Sequence, residues 1–148
     1  MTDRFRLRRA HESDAEFARL THHAAYRDVV ERQFGAWDEV QQDGFFFAQW
    51  DPAATEVILD DGHPSGYCCV ERRGDDIHLR ELVVHPDRQG RGIGTWLVEE
   101  LQREAAEVSI PVRLGTFHKN RALQLYRRLG FTEINATDTH VLMEWVPR

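Results

Sequence analysis

An α/β fold of the α+β kind, with a mixed and mostly antiparallel central sheet flanked by helices, is predicted by three observations. Apolar residues recur at helical spacing up to Trp50, switch to strand-like runs from Thr55, and return to helical spacing from Thr95. Turn pairs at Asp61-Gly62 and Gly74-Asp75 separate three consecutive apolar runs, as in an antiparallel meander. A length of 148 residues with 41% hydrophobic and 30% charged side chains is that of one folded domain, residues 1–148, rather than a disordered chain.

The elements follow in order. Phe5-Arg6-Leu7-Arg8-Arg9-Ala10 alternates apolar and basic, the pattern of a strand with one buried face. Ser13-Asp14-Ala15-Glu16 reads as a capping box opening a helix that carries Phe17, Leu20, Ala24 and Val29 and ends near Val30. Gly35 interrupts, and Asp38 caps a second helix running to about Gln49, in which Gly44 is the weak point. The meander comprises Glu56–Leu59, Tyr67–Val70 and Ile77–Val84. Thr95–Val108 is a strongly amphipathic helix with Trp96, Leu97, Leu101 and Ala105 on its apolar side. A short strand at Pro111–Gly115 precedes a helix from Asn120 to Leu129, which Gly130 ends as the residue that tolerates a left-handed conformation. Phe131–Asn135 and Val141–Val146 are the last strands, joined by a turn at Ala136–Thr139.

Charge and composition exclude several classes. With 19 basic against 25 acidic residues the net charge is −6, the wrong sign for a nucleic-acid partner, while acidity favours a cationic acceptor such as a protonated amine. No apolar run approaches the roughly 18 residues that span a bilayer, and Met1-Thr2-Asp3-Arg4 opens no apolar leader, so a cytoplasmic location and no membrane partner are expected. Cys68 and Cys69 are adjacent, a spacing that disfavours a disulfide, and their apolar strand suits inert core thiols. His22-His23, His118 and His140 lack paired ligand spacing, so no metal is expected.

The most informative stretch is Glu81-Leu82-Val83-Val84-His85-Pro86-Asp87-Arg88-Gln89-Gly90-Arg91-Gly92-Ile93-Gly94: strand, proline stop, glycine-rich turn, helix. Glycines at 90, 92 and 94 leave the backbone amides unshielded at a helix N-terminus, where the dipole favours an anion by roughly 0.3–2 kcal/mol. Arg88 or Arg91 can add a charge-assisted contact. A pyrophosphate or phosphate is the ligand this chemistry suits, and a plain strand-to-helix turn is the alternative. Two nucleotide motifs are excluded: Gly94-Thr95 lacks the lysine of the Walker pattern, and Leu97 stands where a dinucleotide fingerprint needs its third glycine.

Some distance beyond, Lys119-Asn120-Arg121-Ala122-Leu123-Gln124-Leu125-Tyr126-Arg127-Arg128-Leu129-Gly130-Phe131 completes a pair of motifs. Together they resemble the GCN5-related N-acetyltransferase (GNAT) superfamily. Gln89-x-x-Gly92-x-Gly94 matches its acetyl-CoA signature, and Asn120, Ala122, Leu125-Tyr126 and Gly130-Phe131 match its second motif. The element order is similar from Phe5 to Val146, and the ending Thr137–Trp145 resembles an uncharacterised bacterial subgroup.

The resemblance implies a sheet of about six to seven strands with about four helices, splayed between the fourth and fifth strands. Leu82, Val83 and Val84 would offer main-chain groups to the pantetheine arm of acetyl-CoA, Gln89, Gly90, Arg91, Gly92, Ile93 and Gly94 would hold its pyrophosphate, and Asn120 would bond the arm or cap its helix. The reaction implied is acetyl transfer to a primary amine of a small molecule by direct attack. The alternatives are a protein lysine or N-terminus as acceptor, or a non-catalytic acyl-CoA-binding module. Acetyl-CoA and an amine acceptor are the expected partners, with homodimerisation left open.

An alkylammonium, with a pKa of about 10.4, must lose a proton before it attacks a thioester. Glu81 acting through a water, or His78, is the candidate base; both are also compatible with ordinary half-exposed strand positions. Tyr126 is the candidate proton donor to the leaving thiolate, with a core tyrosine as the alternative, and a main-chain N–H near Val84 the candidate oxyanion donor. Tyr26, Phe34, Trp37, Phe45 and Trp50, interleaved with Asp28, Glu31, Asp38, Glu39 and Asp43, suit either a cationic amine or a core with a solvated edge.

Overall fold

The computed structural model describes residues 3–148. Met1 and Thr2, on which part of the expectation of a leaderless N-terminus rests, lie outside the described residues. Strand β1 (Phe5–Arg9) leads through a single 3₁₀ turn into helix α1 (Ala15–Gln33) and helix α2 (Glu39–Gln49). Strands β2 (Glu56–Asp60), β3 (His63–Arg72) and β4 (Ile77–Val84) follow, then helix α3 (Ile93–Glu107), strand β5 (Val112–Phe117), helix α4 (Ala122–Arg128), and strands β6 (Thr132–Ala136) and β7 (His140–Trp145).

The helix starts show what the local chemistry does. Asp38 caps α2 as expected, its Oδ1 accepting the Gln41 N–H at 3.0 Å. The expected Ser13 capping box at α1 does not form. Instead the Asp14 carboxylate accepts the His11 N–H at 2.8 Å and both guanidinium nitrogens of Arg8 at 2.9 Å, so a charged side chain displaces the serine. Strand β3 begins earlier than its apolar run because Asp61 (φ 50°) and Gly62 (φ 83°) close a two-residue turn directly onto His63.

Seven strands form one sheet in the order β1-β2-β3-β4-β5-β7-β6. β1–β2, β2–β3, β5–β7 and β6–β7 are antiparallel, and β4–β5 is parallel, so the sheet is mixed and mostly antiparallel as predicted. The parallel ladder pairs Ile77, His78 and Leu79 with Val112, Arg113 and Leu114 and ends there, which is the splay expected between the fourth and fifth strands.

The chain groups into two compact parts. In the first, residues up to Cys69 with Glu81–Ile93, one core cluster joins Ala18, Phe46, Tyr67 and Val83, and a second joins Ala10, Val57 and Leu59. Gly66 is required here: a Cβ on it would stand 2.3 Å from the Val83 carbonyl oxygen, so β3 and β4 approach more closely than any side chain permits. In the second, Val70–Arg80 with Gly94–Arg148, α3 buries Leu97, Val98, Leu101 and Ala105 along one stripe. No helix among the described residues is long and apolar enough to cross a membrane.

Candidate active site

The glycine loop is built as its sequence predicts. After β4 the chain turns at Pro86–Arg88, with the His85 imidazole accepting the Asp87 N–H at 3.1 Å. Gly90 (φ 78°) and Gly92 (φ 92°) then adopt left-handed conformations that side chains resist, and a Cβ on either would meet no atom within 4 Å. The space over both glycines is therefore open. Gln89 folds back, its amide donating to the Val84 carbonyl at 3.0 Å, which pins the loop to the end of the strand. Arg88 and Arg91 are close enough to help hold the Asp60 carboxyl below its usual range, after the larger effect of the Arg4 hydrogen bond.

Glu81 lies on the strand leading to that loop. Burial alternates along β4, with Ile77, Leu79 and Val83 inside, so Glu81 shares the inward face and His78 the other. The Tyr26 hydroxyl donates to the Glu81 carboxylate over a long 3.5 Å. Tyr67, 2% exposed, keeps its hydroxyl without a hydrogen bond in strict geometry. Burial raises its pKa well above 10, and Glu81 raises it further. A carboxylate flanked by two tyrosine hydroxyls is a polar focus inside an otherwise apolar face.

In the second part, Asn120 spends both ends of its amide locally: Oδ1 accepts the Ala122 N–H at 2.9 Å and Nδ2 donates to Thr116 Oγ1 at 2.8 Å. Asn120 thus ties the first residue of α4 from one position before its N-cap, Arg121, with one amide hydrogen to spare. Tyr126 is 5% exposed, its ring 5.9 Å from that of Phe131, and burial alone pushes its pKa up to about 12. His78 is half-buried with its Nδ1 unpartnered, and desolvation, then Arg73, lowers its pKa. Cys68 and Cys69 are buried in β3, where the Cys69 Sγ contacts Thr55 Oγ1 at 3.4 Å.

The acids singled out beside the aromatic residues of α1 and α2 are already engaged. Asp28 pairs with Arg32, Glu31 with Arg27, and Asp38 caps α2. Asp43 accepts from Arg19 at 3.0 Å and lies 2.6 Å from His23 Nε2, while Glu39 accepts from Arg19 at 3.4 Å and from the Trp37 indole at 2.7 Å. Among the described residues His23, Glu39 and Asp43 bring three possible metal-ligand atoms within 4.8 Å of one another, but the Arg19 guanidinium already supplies their cation. Pairwise spacing of histidines could not reveal this cluster. The available signal was the stripe Arg19, His22-His23, Tyr26 on α1 facing Glu39 and Asp43, four apart on α2.

The model of the acetyltransferase (GNAT) domain matches residues 42–133. A mycothiol acetyltransferase of Nocardiopsis dassonvillei is 41% identical over 56 residues, 38% of this chain and 17% of that protein. A thialysine N-epsilon-acetyltransferase of Bos taurus is 26% identical over 95 residues, 56% of each chain. This chain thus spans 17% and 56% of the lengths of these two curated relatives. The crystal structure of the PaiA N-acetyltransferase of Thermoplasma acidophilum in complex with coenzyme A superposes with a TM-score of 0.78 over 99% of both chains at 15% identity, a likeness of fold.

Proposed function

The chain belongs to the acetyltransferase (GNAT) domain family, and from that premise we propose that it binds acetyl-CoA and transfers the acetyl group directly to a primary amine of a small molecule. The observation that carries this reading is the open Gly90–Gly92 backbone in a turn that also carries Arg88 and Arg91. In it the pyrophosphate is held by the amides of Gln89–Gly94, and the main chain of Leu82, Val83 and Val84 pairs with the pantetheine arm. The spare amide hydrogen of Asn120 is free for the same arm. The whole of residues 1–148 acts as one domain in this reading.

Acetyl-CoA would supply a thioester, whose thiolate is a good leaving group from the acyl carbon. The chain's own residues supply the proton traffic. Glu81 takes the ammonium proton, directly or through a water, because it is the carboxylate at the tyrosine-flanked focus of β4; His78 looks from the opposite face. Tyr126 serves as donor to the leaving thiolate. With its pKa near 12 it stays protonated at neutral pH and donates a hydrogen bond, whereas handing its proton to a thiolate with a pKa of about 8.5 runs uphill. Its part is therefore stabilisation of the developing charge more than outright protonation. A main-chain N–H near Val84 polarises the acetyl carbonyl.

A small cationic acceptor is supported by the single carboxylate at this focus and by the relative that acetylates thialysine. The deciding experiment is acetyl-CoA consumption with amines, polyamines, amino acids and peptides. Turnover of peptides alone would replace the small-molecule reading, and calorimetric acetyl-CoA binding without any turnover would leave a binding module. The loop has its own test: Gly92→Asp places a negative side chain in the cradle at a left-handed position and abolishes acetyl-CoA binding in a folded chain. Unchanged affinity by calorimetry would sink the loop assignment.

A further inference from the structure

Four buried side-chain polar atoms among the described residues lack a hydrogen-bond partner: Thr21 Oγ1, Trp50 Nε1, the Tyr67 hydroxyl and His78 Nδ1. A polar atom buried unpaired costs its full desolvation, so each calls for a reason. Thr21 lies inside helix α1, where its hydroxyl can turn to the carbonyl one turn back. Trp50 and His78 are only half-buried. Tyr67 has neither outlet, being 2% exposed in the apolar run of β3. A phenylalanine would fill the same space without the unpaired group.

The surroundings of Tyr67 say what the hydroxyl is for. Its ring belongs to the cluster of Ala18, Phe46 and Val83, against which Tyr26 packs. Glu81 shares the Val83 face of β4 and accepts the Tyr26 hydroxyl at 3.5 Å. Tyr26 and Glu81 are half-buried whereas Tyr67 is fully buried, so the pair opens outward and Tyr67 closes its inner end. We propose that the Tyr67 hydroxyl is an acceptor-binding group of this site, taking one N–H of the incoming ammonium while Glu81 takes another. The proposal deepens the amine-acetyltransferase reading and rests on it.

Donor and acceptor counting supports the pairing. A phenol hydroxyl offers two lone pairs besides its hydrogen, a carboxylate offers lone pairs alone, and an ammonium has only hydrogens to give. Burial, then Glu81, raises the Tyr67 pKa well above 10, so the group stays a neutral phenol and exchanges no proton itself. When Glu81 removes the ammonium proton, that N–H bond breaks, an O–H bond forms on the carboxyl, and the nitrogen keeps the electron pair. The N–H donated to Tyr67 is untouched by the step. It holds the direction of the new lone pair, which an amine fixed by one contact alone would leave free to turn.

The same neighbours restrict the acceptor. The titratable groups that act most on the Tyr67 hydroxyl, Glu81, Tyr26 and Cys69, include no cation. A carboxylate on the carbon that bears the amine would be set against Glu81 with none of these groups to offset it, and like charges at such range repel. The acceptor class is therefore a primary ammonium whose own carbon carries no carboxylate, rather than the α-amine of a free amino acid.

The test combines kinetics, stability and a spectrum, all on the full chain. With acetyl-CoA and the best amine of the panel, Tyr67→Phe should raise the KM for the amine about 10- to 100-fold, the loss of one hydrogen bond to a charged donor. The KM for acetyl-CoA should stay unchanged. An amine KM within about 3-fold of the parent, whatever kcat does, overturns the proposal. Without ligand, Tyr67→Phe should unfold at a urea midpoint no lower than the parent's, because it removes an unpaired group; a lower midpoint makes the hydroxyl a structural partner and overturns its role. In the parent chain the carbon-13 signals of the three tyrosine Cζ atoms can be assigned with Tyr26→Phe and Tyr126→Phe. The Tyr67 signal should move when the amine saturates the coenzyme A complex, and a signal that stays put overturns the contact. Pentylamine should be acetylated with a kcat/KM at least about 100-fold above that of norleucine, which adds a carboxylate to the same carbon; norleucine at or above pentylamine overturns the acceptor class. A parent chain that binds acetyl-CoA and acetylates no amine overturns the functional reading, and this role of Tyr67 with it.

Discussion

Tyr126 illustrates how a residue can be legible in type and not in strength. Its place in the second motif was visible in the sequence, and the structure buries it to 5% exposure, yet the same burial raises its pKa to about 12. A donor that weak as an acid works by hydrogen bonding, which is a transition-state contact. Tyr126→Phe is accordingly expected to lower kcat about 10- to 100-fold while acetyl-CoA affinity changes by less than about 3-fold. Equal turnover of the two proteins at saturating substrates would remove Tyr126 from the chemistry. Glu81 was legible as a carboxylate near the loop, but its partners were not. Tyr26 and Tyr67 reach it from α1 and β3, and no local pattern announces a contact made across those sequence distances.

At the scale of elements, periodicity and turn residues located each α-helix and strand among the described residues to within a few positions, though not the 3₁₀ turns at 12–14, 52–54 and 86–88, because those longer elements depend on neighbours a few positions away. What escaped was whatever depends on a distant partner. Arg8 on β1 recruits Asp14 and so moves the start of α1 away from the Ser13 capping box. Gly66 precedes the apolar run Tyr67–Val70, and no local pattern marks it. In the fold it lets the Val83 carbonyl come within 2.3 Å of where a Cβ would stand, beside the β2–β3 register shift at Ile58/Leu59. Since that obstacle is backbone, it cannot swing aside as a side chain would. Gly66→Ala is therefore expected to destabilise the chain by about 1–3 kcal/mol, seen as a lower urea midpoint at unchanged slope. Gly44→Ala is the control, because nothing lies within 4 Å of a Cβ there and the position is helical. An unaltered midpoint for Gly66→Ala would mean that β3 and β4 can part without cost.

At the scale of the whole molecule, the strand order placing β7 between β5 and β6 was not readable from pattern, since apolar periodicity marks a strand and not the neighbour it pairs with. The distribution of charge is more telling. An acidic chain with net charge −6 pairs its half-buried Asp14 with Arg8 and its buried Asp76 with both Arg73 and Arg113. The Asp14 carboxyl is held to about 2, chiefly by the Arg8 hydrogen bond, and Asp76 to about 2, chiefly by Arg73 and with Arg113 adding to it. Both folded values lie below the unfolded value of about 3.9, so both pairs stabilise the fold fully above that pH and lose their contribution as pH falls toward 2. Each carboxylate is worth at most about 2.6 kcal/mol by this linkage. Both are worth less than that, because their partners Arg8, Arg73 and Arg113 are 35%, 47% and 40% exposed and screened by solvent. Unfolding free energies from urea titrations should therefore be level between about pH 7 and 5 as far as these pairs are concerned, and fall by a few kcal/mol between about pH 4 and 2. Asp76→Asn should lower stability at pH 7 by about 1–3 kcal/mol and flatten the acid limb, because the variant has one proton fewer to bind on unfolding. An acid limb as steep as that of the parent chain would show that Asp76 titrates alike in the folded and unfolded chains, and that its two arginines hold it in place without stabilising its charge.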